Sequence, residues 1–203
     1  MHTALSDADA RGSVRYVESE ITPTTKAMIT NDIAVHEGRQ NITYSGGVQV
    51  YTLLVGGVAY LSGNQAGLIK YFGFPAAAAR QVGSRWVSIP SSNSFYATLA
   101  SRVTLRSAIA ALAIPGHVSE TAPTTVDGQQ VIGIHGIVPL SGRFHATKVT
   151  ATLYISRTSS PLPVGASYTY STGGESTTTL SDWGETLSLT PPTNTIPESQ
   201  LKL

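Results

Sequence analysis

No cysteine occurs anywhere in the 203 residues. That excludes disulfides, thiolate metal sites and a cysteine nucleophile together. Charge is scarce as well. Charged residues make up 12% of the chain, about half the usual share, and they balance to a net charge of +1. The Lys and Arg residues are scattered singly, with no basic stripe to follow a phosphate backbone, which argues against nucleic-acid binding. Long apolar runs are missing too. The longest, YTLLVGGVAYL from Tyr51 to Leu61, contains two glycines and falls short of the roughly 20 residues of a membrane-spanning helix. Met1-His2-Thr3 leads straight into SDADARGS, without a basic region followed by an apolar one. Low charge, little lysine and much Ser and Thr predict an exported protein whose export segment is absent from this sequence.

What fills the chain instead is Ser, Thr, β-branched residues, 19 glycines and 11 prolines. This mixture favours strands and turns over helices. At 203 residues there is enough chain for one domain with a sizeable core. We read a single domain over 13–203, preceded by a polar stretch at 1–12 that reads as a flexible tether or helix remnant.

The periodicities place the elements. SVRYVESE (13–20) alternates, with Val14, Tyr16 and Glu18 on one face. In TKAMITNDIAVHEG (25–38), Ala27, Ile29, Ile33 and Val35 fall at odd positions, the signature of a half-buried strand. QNITYS, VQVYTLLV and VAYLS follow, separated by glycine turns, and together they describe an antiparallel meander. The pattern then breaks. Residues 64–84 lack alternation and carry AAAAR after a proline, a helix start. SRWVSIP (84–90) returns to strand. Residues 91–116 read as one long helix with Leu105, Ile109 and Leu112 on one face, Arg102 and Arg106 on the solvent side, and Pro115-Gly116 as its stop.

Strands resume with HVSETAPTTV, GQQVIGIHGIVP (128–139), HATKVTATLYISR (145–157) and PVGASYTYS (163–171). The last pair is ESTTTLSDW and ETLSLTPP. The count is about ten or eleven strands, with helical insertions on either side of one strand. No solenoid-type repeat is present.

Chemical motifs are sparse. The five histidines form no HxH or HExxH pair. His135 and His145 could approach each other across a hairpin, but ordinary sheet positions outweigh a metal site. No nucleophile elbow or phosphate loop stands in a supporting context. Asp182-Trp183-Gly184-Glu185 is the one acid–aromatic cluster. Paired carboxylates serve glycosidases, yet an Asp and a Glu around Trp-Gly more often shape a turn. No catalytic residue, metal ligand or cofactor is assigned. Apolar surface, by contrast, is in excess. It could form a plain core under helices, or leave a hollow suited to a small molecule or lipid.

GGVAYLS (56–62), SRWVSIP (84–90), TLYISRTSSPLPVGASYTY (152–170) and TTTLSDWGETLSLTPP (177–192), in this order, resemble motifs of the actinobacterial lipoproteins of the LppX/LprG type. These are related in fold to the lipoprotein carrier LolA. SVRYV (13–17) also fits the family's first strand, while Ser156 stands where the family usually has Asp. The resemblance implies an α+β fold: one strongly curved antiparallel sheet, a half-barrel, with helices covering its concave face and enclosing an apolar cavity.

It further implies non-enzymatic binding and transport or presentation of lipid, glycolipid or lipoprotein acyl chains at the cell envelope. Membrane contact would be transient or through a lipid anchor, and other envelope proteins are possible partners. On this reading the cavity residues are Ile29, Ile33, Ile42, Tyr44, Val50, Leu54, Phe72, Phe74, Leu105, Ile109, Leu112, Leu153 and Ile155. A one-residue slip in any strand would invert its set. The alternatives are an envelope sensor or interaction domain of the same fold without a cavity, and a hydrolase built on Asp182 and Glu185.

Overall fold

The computed structural model describes residues 1–138 and 148–202. Alternating residues fold where periodicity places them. β1 (Ser13–Ile21), β2 (Lys26–Ala34), β3 (Gly38–Tyr44), β4 (Val48–Val55) and β5 (Val58–Gly63) form an antiparallel meander. The turns at Gly46-Gly47 and Gly56-Gly57 all have positive φ, a conformation open to glycine without a Cβ penalty. β6 (Trp86–Pro90) extends the meander by pairing with β5.

The chain then crosses to the far edge of the sheet, where β7 (Val118–Glu120) and β8 (Thr124–Val126) both pair with β9 (Gln129–Val138). β10 (Val149–Ser156), β11 (Pro163–Tyr170) and β12 (Glu175–Ser181) return as a second meander, and β12 closes against β1. β13 (Thr195–Pro197) runs back to the first edge and pairs in parallel with β6.

The result is one open sheet of 13 strands with β1 near its middle. The α+β, curved-sheet expectation holds. The strand expected over HVSETAPTTV is instead two, β7 and β8, and β13 is an addition; each of the three has three residues, too short to carry alternation. Two details differ from expectation. ETLSLTPP is not a strand, so the chain leaves the sheet after β12 and re-enters only at Thr195. Val35 is 49% exposed because it lies beyond the end of β2, in the turn. Part of the segment expected at 145–157, with His145, and Pro139 of the preceding one lie outside the described residues.

Helices occupy the crossings. α2 (Gln65–Phe72) is capped by the Asn64 side chain, which accepts from the Gly67 N–H at 2.9 Å, and Gly73 ends it at φ 74°. α3 (Ala76–Val82) starts after Pro75. The long helix expected over 91–116 is instead α4 (Tyr96–Ala100) and α5 (Leu105–Leu112). The break lies at Ser101–Thr104, where Thr104 is extended and forms a bridge with Ala34. A Cβ on Gly38 would stand 2.3 Å from the Val103 carbonyl oxygen, so the absent side chain lets the break sit directly on β3. Arg102 does not face solvent alone. It donates to the Tyr71 hydroxyl and stacks 4.8 Å from that ring's centroid. Residues 1–12, read from sequence as a tether or remnant, form α1 (His2–Ala10), with Ala4 and Ala8 buried against α5 and β11.

Because the chain must pass from the β6 edge to the β7 edge, α4 and α5 are carried across the concave face. Inward residues of the sheet meet them there. Val14, Ile33 and Leu54 pack with Leu68, Phe74, Leu99 and Leu105 in the main core, and a smaller cluster joins Ala27, Ile29, Ile42 and Val50. Between these two layers runs a polar row in ladder register: Tyr16 opposite Asn31, Asn31 opposite Gln40, and Gln40 opposite Thr52.

Candidate functional site

A cavity of about 260 Å³ lies beneath α5. β12 contributes its inward residues Ser176, Thr178 and Leu180, and β1 adds Tyr16 and Glu18. Tyr168 and Tyr170 of β11, Val149 of β10 and Val138 of β9 complete the wall. Ala108, Ala111 and Leu112 of α5 form the roof. The hollow has a simple origin. Serine, threonine and alanine stand where leucine or isoleucine stands under α2 and α4, so opposing side chains do not reach across the gap. Tyr170 also borders a groove of about 630 Å³, lined by Glu20, the Thr22–Thr25 turn, Tyr44, Lys70, Tyr71 and Arg102.

The phenols of the cavity are held firmly protonated. Burial, followed by the nearby Glu18 and Tyr170, pushes Tyr168 up to about 12. Tyr16 is raised by burial, then by Glu18 and Tyr71, with Asn31 and Gln40 acting in the opposite direction. Tyr170 is raised chiefly by burial, against the effect of Ser176. Each hydroxyl therefore remains a hydrogen-bond donor in an apolar setting. Tyr168 donates a long bond, 3.5 Å, to the Ala111 carbonyl of the roof.

The residues expected in a cavity from sequence are distributed over three places. Leu112 borders the cavity and Tyr44 the groove. Ile33, Leu54, Phe74, Leu105, Leu153 and Ile155 are buried in the main core, with Ile109 and Phe72 packed against it. Ile29, Ile42 and Val50 form the separate cluster, which Tyr44 and Phe72 also touch. Phe72 lies 5.1 Å from Tyr71 and 6.3 Å from Phe74, centroid to centroid. Sequence reasoning did not single out Tyr168, Tyr170, Ser176 or Thr178. The signal was the same alternation: SYTY places two tyrosines on one face, and ESTTTLS leaves only one large apolar residue inward.

The Asp182–Glu185 cluster fastens the chain. Asp182 has φ 54° and Gly184 φ 85°. The Gly184 N–H donates to the Ser13 carbonyl at 3.1 Å, and the Ser13 hydroxyl donates to the Glu185 carbonyl at 2.5 Å. The Trp183 indole N–H donates to the Pro163 carbonyl at 2.9 Å. The expected turn between two final strands is thus a clasp holding the end of β12 on the start of β1. Both carboxylates are exposed, and Asp182 accepts from the Ser181 hydroxyl. No metal-ligating group of three or more His, Asp or Glu occurs among the described residues. His135, on an exposed position, meets the Thr152 hydroxyl at 3.0 Å.

An open curved sheet thus has its concave face crossed by helices over an apolar hollow. Solved structures share this fold. The lipoprotein LppX of Mycobacterium tuberculosis superposes with a TM-score of 0.59 at 16% identity, over 92% of this chain and 94% of that one. LprF of Mycobacterium bovis superposes with a TM-score of 0.53 at 13% identity, over 94% of each chain. At such identities the likeness is one of fold. No family model matches the sequence, and neither does any curated protein.

Proposed function

We propose that this protein binds the acyl chain of a lipid, glycolipid or lipoprotein in the cavity beneath α5 and carries or presents it at the cell envelope, without making or breaking bonds. The observation that carries the reading is the hollow itself, roofed by Ala108 and Leu112 and floored by Leu180 and Thr178. It occurs within a fold shared with a lipoprotein. We read the protein as exported and in contact with the membrane transiently or through an anchor; among the described residues no helix is long and apolar enough to cross a membrane.

The driving force would be area exchange. Each methylene taken from water gains roughly 0.8 kcal/mol, so a long chain needs few polar contacts. Transfer out of a bilayer gains little, because the chain leaves one apolar phase for another. Affinity then depends on a hollow that is already shaped. The residues assigned to binding are Leu112, Leu180, Val149, Tyr16, Tyr168 and Thr178. The thirteen positions taken from sequence, Leu112 and Tyr44 apart, would act as the packed wall around the chain.

The test is displacement of a fluorescent fatty-acyl probe, together with mass spectrometry of lipid extracted from purified protein. The wild type is expected to hold lipid and to release the probe to a long-chain ester. Thr178→Phe, which fills the floor, is expected to lose at least about tenfold in affinity, the equivalent of two methylene contacts. Absence of extractable lipid and of saturable probe binding would overturn the proposal.

A further inference from the structure

The cavity beneath α5 and the groove beside it are two parts of one trough. Tyr170 borders both, and the strands carry the lining from one into the other. On β1, Tyr16 and Glu18 line the cavity and Glu20 the groove; on β11, Tyr168 lines the cavity, and Thr172, just past the strand, lines the groove. From Tyr16 to Thr22 the trough runs about 20 Å at the rise of a strand. Its ends differ in chemistry. Leu112, Val138, Val149 and Leu180 bound the cavity, whereas threonines, Lys70 and Arg102 bound the groove. An amphiphile lying in it has one favourable orientation. Its tail belongs against the leucines and valines and its headgroup in the groove, because a charged head buried at the apolar end would lose its water without gaining partners.

The sign of the head follows from the charges along the trough. Glu18, Glu20 and Arg102 each already interact with other groups of the protein. Arg102 enters the groove from the break between α4 and α5, with its guanidinium set over the Tyr71 ring at 4.8 Å from the centroid. Lys70 is different. It stands in the last turn of α2, exposed on the groove, and no ion pair among the described residues holds its ammonium. The unmatched charge of the groove is therefore positive. A compact ammonium on a flexible stem suits a phosphate, which it meets as a point charge.

We propose that the groove is the headgroup subsite of the trough, that the ligand lies with its tail towards Leu180 and Leu112, and that the head is an anionic phosphate ester paired with Lys70. The inference rests on the acyl-chain reading above and adds the orientation of the ligand and the charge of its head.

The experiment compares monooleoylglycerol with oleoyl lysophosphatidylglycerol, the same chain without and with a phosphate, as competitors of the same fluorescent acyl probe at low salt. The phosphate-bearing lipid is expected to bind about fivefold tighter to the wild type, the upper range for one exposed ion pair. Lys70→Gln should reduce that preference towards unity while monooleoylglycerol binds as before. Salt at about 0.5 M should do the same to the wild type, because an exposed pair is screened. The Lys70 side chain is exposed, so the variant should keep the melting temperature of the wild type. Glycerol phosphate, which has no chain, should not displace the probe; displacement by it would mark a site for free phosphate esters and overturn the headgroup assignment. Equal affinities of the two lipids in the wild type, or a preference that survives Lys70→Gln, would overturn the inference and leave lipid binding standing. Failure of both lipids to displace the probe would overturn the lipid reading along with it.

Discussion

The two meanders that flank β1 share one sheet, yet the half beneath α2 and α4 is filled while part of the other leaves a hollow beneath α5. On the β2–β5 side, Ile33 and Leu54 are buried at 0% and 2% exposure against Leu68, Leu99 and Leu105. On the β10–β12 side, Ser176 and Thr178 occupy inward positions beneath α5. Curvature is common to both halves, so it cannot be what makes a cavity. Side-chain volume across the sheet–helix gap decides it.

Substitutions that exchange the character of the two halves give the strongest test. Leu54→Ala, in the filled half, should destabilise by about 2–5 kcal/mol, read by urea unfolding, while the remaining folded protein keeps its affinity for an acyl probe. Thr178→Phe in the hollow half should do the reverse, with lost affinity and a small change in stability. If Leu54→Ala weakened binding as much as Thr178→Phe does, the ligand would occupy the filled half instead, and the comparison would fail.

The hollow half also has its own pH signature. Tyr168, raised to about 12 by burial, binds its proton more tightly in the folded chain than in the unfolded one, where it titrates near 10. The stability it contributes is therefore complete below about pH 10 and is lost as pH rises towards about 12. Tyr168→Phe should flatten the decline in melting temperature over that window and leave the neutral-pH value nearly unchanged. An identical decline in the variant would mean that other groups control alkaline unfolding. The smallest expected effect belongs to the filled half. Arg102→Ala removes the hydrogen bond and ring contact to Tyr71, and should cost about 1 kcal/mol.

Much of the sheet was legible from residues alone. Ala27, Ile29 and Ile33 at odd positions identified the buried face of β2, and Val149, Ala151, Leu153 and Ile155 did so for β10, because alternation is a local consequence of the pleat. The helical region was less legible. Residues 91–116 read as one helix since Leu105, Ile109 and Leu112 share its period, but the Val103 carbonyl's seat on Gly38 and the Arg102–Tyr71 contact are non-local and break it in two. The hollow beneath α5 was the least legible part. Most of the large apolar residues named from sequence pack in the core, and an interior filled by large residues has no room left. The lining was in the SYTY and ESTTTLS stretches, whose small and hydroxylated inward positions are unremarkable until α5 is placed above them.

The sequence by itself determined which residues alternate along each strand, that the strands form antiparallel meanders, and that no thiol chemistry is available. Only the tertiary structure decided that β12 closes on β1, that Asp182–Glu185 is a clasp, and that the hollow lies beneath α5. The pleat is set by neighbouring residues along the chain, while an empty volume is a difference between side chains that meet only after the chain has crossed from one edge of the sheet to the other.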